Sequence, residues 1–245
     1  MLEETSDAFL RINMKKFLKS FTRVEIGIWV SSVTIILSSF FIFDREGYLN
    51  LITSLIGVTS LIICAKGLPL GQALMLVFAV LYGTISLGFG YYGEMITYLG
   101  MSAPMALFAL ISWIRNPYEK GKGEVKIREL KRRDIIVTAL LATAVTVSFY
   151  FILKALNTAN LITSTISVAT SFFAAYLMFL RSPYFALAYA ANDVVLIVLW
   201  VLAAIEDYSY VSVIPCFVAF LLNDLYGFFN WTKMKKRQSN ETKTV

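Results

Sequence analysis

The chain has 245 residues, 58% of them hydrophobic, with 22 Lys and Arg against 16 Asp and Glu and no histidine. A mean hydropathy of +0.70 excludes a single water-soluble domain of ordinary composition. Without histidine the commonest proton shuttle and metal ligand is missing, and no Cys, Asp and Glu cluster with ligand spacing replaces it.

Residues 1–23 interleave Phe9, Leu10, Ile12, Phe17 and Leu18 with Arg11, Lys15, Lys16 and Lys19. This is the pattern of an amphipathic helix lying on an anionic membrane surface; a frayed basic tail is the alternative. No small-residue cleavage site follows a short apolar core, so no cleavable signal peptide is expected.

Eight runs then approach the roughly 20 apolar residues that a spanning helix needs. They are Val24–Phe43, Tyr48–Ala65, Leu68–Tyr91, Met95–Ile114, Ile135–Leu153, Asn160–Leu180, Tyr184–Ala204 and Tyr208–Trp231. Continuous apolar runs of this length indicate an all-α polytopic membrane protein; a β-barrel would alternate with period two. Pro104 lies near the middle of the fourth run, and Pro215 takes a comparable place early in the eighth. Cys64 and Cys216 sit inside apolar runs and read as small apolar fillers.

Placing both termini on one side of the membrane puts 20 of the 22 basic residues there and leaves Arg45 and Lys154 opposite. The positive-inside rule makes that side cytoplasmic. The basic surplus is thereby a topology signal, and no nucleic-acid partner is expected. The loop from Arg115 to Asp134 carries eight basic and four acidic residues and reads as a solvated connector.

The string Asn-Leu-Ile-Thr-Ser occurs at Asn50–Ser54 and again at Asn160–Ser164. After each copy come an apolar helix, a turn with proline (Pro69, Pro183), a second helix, an acidic turn (Glu94, Glu206), a tyrosine (Tyr98, Tyr210) and a proline (Pro104, Pro215). The copies start four spans apart and so enter the membrane in the same direction. Two parallel three-helix repeats are expected, 48–114 and 154–231, joined by a loop and linker helix over 115–153. An extra helix over 24–47 precedes them and a basic tail over 232–245 follows. Repeats of this kind place a substrate site at their interface near the midplane.

Ionisable groups at membrane depth cost about 2.5–3.5 kcal/mol on insertion scales and normally face a protein interior or a wet cavity. Helix seven holds Asn192-Asp193 and helix eight Asn223-Asp224, each Asn eight residues from the same membrane face. Asn223, Tyr226 and Asn230 share one face of helix eight, and Phe185, Tyr189 and Asn192 one face of helix seven. Aromatic rings stack on a flat heterocycle and attract a cation, while carboxamides bond hydroxyls and amides. The candidate substrate-binding set is therefore Asn192, Asn223, Tyr189, Tyr226, Asp193, Asp224 and Asn230, with Gln72 of helix three reaching the same cavity. Neighbours on a helix point about 100° apart, so one member of each Asn-Asp pair is expected to bind an adjacent helix; helix-to-helix hydrogen bonding is the alternative for all four. Glu25 and Trp29 read as interfacial anchors. With no phosphate-cradling loop, nucleophile elbow or histidine dyad, neither an enzyme nor a cofactor is expected.

The paired Asn-Asp pattern and the closing segment Asn223-Asp224-Leu225-Tyr226-Gly227-Phe228-Phe229-Asn230-Trp231 resemble the PnuC family of bacterial nicotinamide riboside transporters. The three-plus-one-plus-three plan is also that of the SWEET sugar transporters. The resemblance covers most of the chain and is most specific from Arg181 to Trp231. It implies facilitated diffusion of a vitamin-type nucleoside, with trapping by cytosolic phosphorylation. It also implies a homotrimer in the bacterial cytoplasmic (inner) membrane, with lipid around it. Asn192 and Asn223 take the places of the family's binding asparagines. The family's tryptophan, four residues before the helix-seven asparagine, is replaced by Ala188, with Tyr189 beside it. Relatives in the wider Pnu group carry thiamine, riboflavin or deoxynucleosides, and these stand as alternative substrates. An intramembrane enzyme or accessory subunit is the alternative from another class.

Overall fold

Inside a bilayer no water satisfies backbone amides, so each apolar run closes its hydrogen bonds within a helix. The computed structural model describes residues 20–43, 45–88, 92–119, 123–158, 160–206 and 208–243. Most of the amphipathic segment expected over 1–23 lies outside the described residues. Those described contain eight helices long and apolar enough to cross a membrane. They are α1 (Arg23–Phe43), α2 (Tyr48–Ala65), α3 (Pro69–Gly88), α4 (Tyr92–Arg115), α5 (Arg132–Ala155), α6 (Leu161–Phe179), α7 (Tyr184–Glu206) and α8 (Ile214–Lys243).

Prolines shape the two helices that differ most from expectation. Pro104 has no amide to give the preceding turn, and that turn widens into a π segment at Tyr98–Ser102, where the Ala103 amide donates to Tyr98 O. The expected eighth run opens instead with a 3-10 turn, Tyr208–Val213, and α8 begins at Ile214 with Pro215 in its first turn. A proline costs nothing there, because first-turn amides have no partner within the helix. The other end of α8 also differs. The tail expected beyond residue 231 stays helical to Lys243, roughly 18 Å past Trp231.

Six helices close a ring in the order α2, α3, α4, α6, α7, α8, with α8 returning to α2. Exchanging α2–α4 with α6–α8 maps this ring onto itself, as two parallel repeats require. The remaining two helices lie outside it. α1 packs on α2 and α8, and α5 packs on α6, with Leu153 reaching the α4 residue Met101. Gly71 permits the close start of α3 against α2, since a Cβ there would stand 2.6 Å from the Cys64 nitrogen.

The turns after α2 and α6 match residue for residue. Gly67 (φ 67°) and Arg181 (φ 59°) both adopt the left-handed conformation that ends helices. Gly67 N donates to Cys64 O at 2.8 Å and Arg181 N to Met178 O at 2.9 Å. Below them runs the loop from 116 to 131, at what is called here the basic end. This loop is more than a solvated connector. Val125 is fully buried, its amide donates to Gly67 O, and the Arg128 amide donates to Arg181 O. An extended strand of chain has amides to spare, and here they bond the two turn carbonyls that helix ends leave open. Gln238 of α8 clasps the loop from outside, accepting from Ile127 N at 2.8 Å and donating to Val125 O at 3.1 Å. Tyr118 donates to the Glu241 carboxylate, which helps push its phenol up to about 12.

Candidate functional site

The ring encloses a cavity of about 100 Å³ that runs from Gln72 at the basic end toward Glu94 and Thr158. At the basic end it is sealed by Trp113, Trp231, Phe185 and Val125, all buried. Each indole serves the opposite repeat. Trp113 Nε1 donates to Met178 O at 3.0 Å, and Trp231 Nε1 donates to Cys64 O at 2.9 Å.

α7 brings both of its polar residues to the cavity. Asn192 is 4% exposed and Asp193 3%, and both line the wall. Residues 100° apart can do this because each flanks the direction toward the centre by about 50°. Asn192 Oδ1 accepts hydroxyls from three α6 residues: Thr170 at 2.7 Å, Ser171 at 3.0 Å and Ser167 at 3.5 Å. Its carboxamide is thereby held in one orientation. Asp193 Oδ2 is buried with no hydrogen-bond partner. Tyr189 also lines the cavity, its ring edge-on to Phe185 at 6.4 Å.

α8 divides its pair. Asp224 lines the cavity with its carboxyl in hydrogen-bonding reach of Asp193. Asn223 turns outward to α1, its Nδ2 donating to Ser32 Oγ of α1 at 2.8 Å and to the α8 carbonyl Ala219 O at 2.7 Å. The two helices do meet at one depth, as the matched spacing requires, but through their carboxyls. The expected face Asn223, Tyr226, Asn230 is consequently the α1- and α2-facing side of α8. Asn230 donates to Ala65 O at 2.8 Å, satisfying an open carbonyl at the end of α2, and Tyr226 faces Glu25 and Thr22. These three residues tie helices together.

Gln72 stands at the floor of the cavity, fully buried, with Nε2 on Met178 Sδ (2.8 Å) and Cys64 Sγ (3.1 Å) and Oε1 without a partner. Of the expected anchors, Trp29 bonds Thr59 at 3.1 Å. Glu25 is a buried partner of Lys66 at 3.2 Å and closes a capping box with Thr22. Outside the expected set are the hydroxyls of α6. Ser164, Ser167 and Ser171 lie three and four residues apart, a one-face spacing legible in the sequence. Glu94 and Tyr98 also line the cavity, with Tyr82 packed against Tyr98. The two rings are 4.4 Å apart, and Tyr98 belongs to the π segment.

A family model described as "Nicotinamide mononucleotide transporter" matches residues 47–233. The chain belongs to this transporter family. It is similar to the nicotinamide riboside transporter PnuC of Neisseria mucosa, 25% identical over 223 residues, which span 88% of this chain and 83% of that protein. It is equally similar to the nicotinamide riboside transporter PnuC of Haemophilus influenzae, 25% identical over 228 residues, covering 91% of this chain and 96% of that one. The crystal structure of the vitamin B3 transporter PnuC shares the fold, with a TM-score of 0.77 at 24% identity over 89% of this chain and 94% of that one. Ala188, where the resemblance implies a tryptophan, lines a groove between α5 and α7. The α7 ring beside the polar residues is Tyr189.

Proposed function

We infer that this chain carries nicotinamide riboside across the bacterial inner membrane by facilitated diffusion. The observation that carries the reading is the acidic, base-free cavity between the two three-helix units. Glu94, Asp193 and Asp224 line it, and no lysine or arginine is among its described lining residues. A riboside with a pyridinium cation suits such a wall, with aromatic faces and carboxylates for the charge and carboxamides for the hydroxyls. A mononucleotide brings a phosphate, which needs donors of positive charge. The site chemistry therefore favours the riboside named for the two relatives over the nucleotide named for the family.

The cavity, at about 100 Å³, is smaller than the roughly 300–1,000 Å³ of sites that hold small molecules. Admission of a guest thus requires the two units to part. α5 packs along α6 and travels with the second unit as a strut on it. The crossed tryptophans and the docked loop keep the basic end shut, and alternating access breaks these ties while others form opposite. The basic end is cytoplasmic in this reading, cytosolic phosphorylation traps the product, and the assembly is a homotrimer.

The test uses proteoliposomes containing this chain alone, without ATP or kinase. Labelled nicotinamide riboside equilibrates across the membrane and the mononucleotide does not. Absence of equilibration with the riboside, thiamine, riboflavin and deoxynucleosides alike rejects the carrier.

A further inference from the structure

α5 is the least enclosed of the described spanning helices. It packs on α6 and stands off from α7, leaving a lateral groove of about 1140 Å³. Ala169, Thr170 and Phe173 of α6 form the floor, with Thr138 and Ala142 on one wall and Ala191 on the other. The small side chains make it deep. Along α5 the lining runs from Ile135 to Val147, roughly 18 Å, near the ~15 Å half-thickness of a hydrocarbon core. The groove thus spans one leaflet, the one at the basic end.

At the basic end the groove is lined by Glu129, Leu130, Ile135 and Lys235, and Lys131, Arg132 and Arg133 fall between those lining positions, at the start of α5. Glu129 pairs with Lys235 at 3.3 Å, and Asp134 with Arg128 at 2.6 Å. Lys131, Arg132 and Arg133 are exposed at the first turn of α5. A basic rim over an apolar intramembrane groove is the chemistry that holds an anionic headgroup with its chains below.

We propose that this groove binds an anionic phospholipid, acyl chains along α5 and α7 and headgroup on the rim of Lys131, Arg132 and Arg133. The measurement separates this lipid from a second copy of the chain seated in the same groove. The bound lipid acts on transport through Thr170, which lines the groove and whose hydroxyl donates to Asn192 Oδ1 at 2.7 Å. One side chain separates the lipid from the cavity. The proposal rests on the chain's place in a membrane and not on which solute it carries.

Native mass spectrometry from vesicles of phosphatidylcholine with phosphatidylglycerol tests it, beside uptake in vesicles with and without phosphatidylglycerol. The wild-type chain retains a phosphatidylglycerol adduct, and that lipid speeds uptake. Each arginine removed in Arg132→Gln/Arg133→Gln weakens retention about fivefold, and Ala191→Phe, which fills the groove, removes the adduct. No adduct on the wild type, or an adduct equally retained by both variants, overturns the proposal. A changed oligomeric mass in Ala191→Phe with unchanged lipid content assigns the groove to a second copy and overturns it too. The rim variant lies outside the packed interior and keeps the test decisive if Ala191→Phe fails to fold. The adduct is read without any transport, so a chain that carries no riboside can still pass.

Discussion

The rings of Trp113 and Trp231 meet 5.2 Å apart, and each indole donates its N–H across to the other three-helix unit. The acceptors, Met178 and Cys64, each lie three residues before the matched left-handed turn residues Arg181 and Gly67. Two equivalent residues thus exchange equivalent bonds, and the pair locks the units together at the basic end. Trp113→Phe keeps the packing and deletes one donor, worth about 1 kcal/mol or roughly fivefold in the open population. Modification of the buried Cys64 thiol from the basic side, in a Cys216→Ser background, should quicken by that factor.

Asn192→Leu removes the acceptor shared by three α6 hydroxyls. Thr170 retains alternative acceptors in Ile166 O and Ser167 O, so the fold persists. Uptake into proteoliposomes falls below about a tenth, the loss expected when a charged or polar guest forfeits a bond of ~1.5 kcal/mol or more. A melting curve recorded on the same sample separates this from unfolding.

The two polar neighbours on α8 should part company. Asp224→Asn raises the half-saturating concentration of a cationic riboside roughly tenfold, because a hydrogen-bonded charge contributes about 1.5–3 kcal/mol. Asn223→Ala leaves that concentration unchanged and instead lowers the melting temperature, through loss of the bond to Ser32. If Asn223→Ala shifts half-saturation as far as Asp224→Asn, the outward placement of Asn223 is wrong.

Gly67→Ala places a Cβ on a left-handed residue, which costs about 1 kcal/mol, and sets it 2.7 Å from Met234 Cε. The variant should melt several degrees lower in detergent and show faster hydrogen exchange at Val125, whose amide bonds the Gly67 carbonyl.

Helix ends were largely legible because charges and turn residues cannot enter oil cheaply, and α2 and α7 start where the sequence places them. The repeat was legible too, although Pro104 and Pro215 are not its equivalent points. Counted from the matched tryptophans they lie nine and sixteen residues away, a difference of roughly 10 Å. That Asn192, Asp193 and Asp224 occupy an interior also followed from the cost of polar groups in lipid. The outward turn of Asn223, Tyr226 and Asn230 did not. In water an apolar stripe shows which way a helix faces, but lipid is as apolar as a neighbouring helix, so the pattern of α8 leaves its rotation open.

By itself, then, the sequence determined eight spans, the duplication and the depth of the acids, since each follows from transfer between water and hydrocarbon. Only the tertiary structure decided which side chains share the cavity, that α6 hydroxyls orient Asn192, and that the loop 116–131 ties both turns. Those depend on how far each helix is rotated about its axis, and close packing and hydrogen bonds settle that rotation, not hydrophobicity.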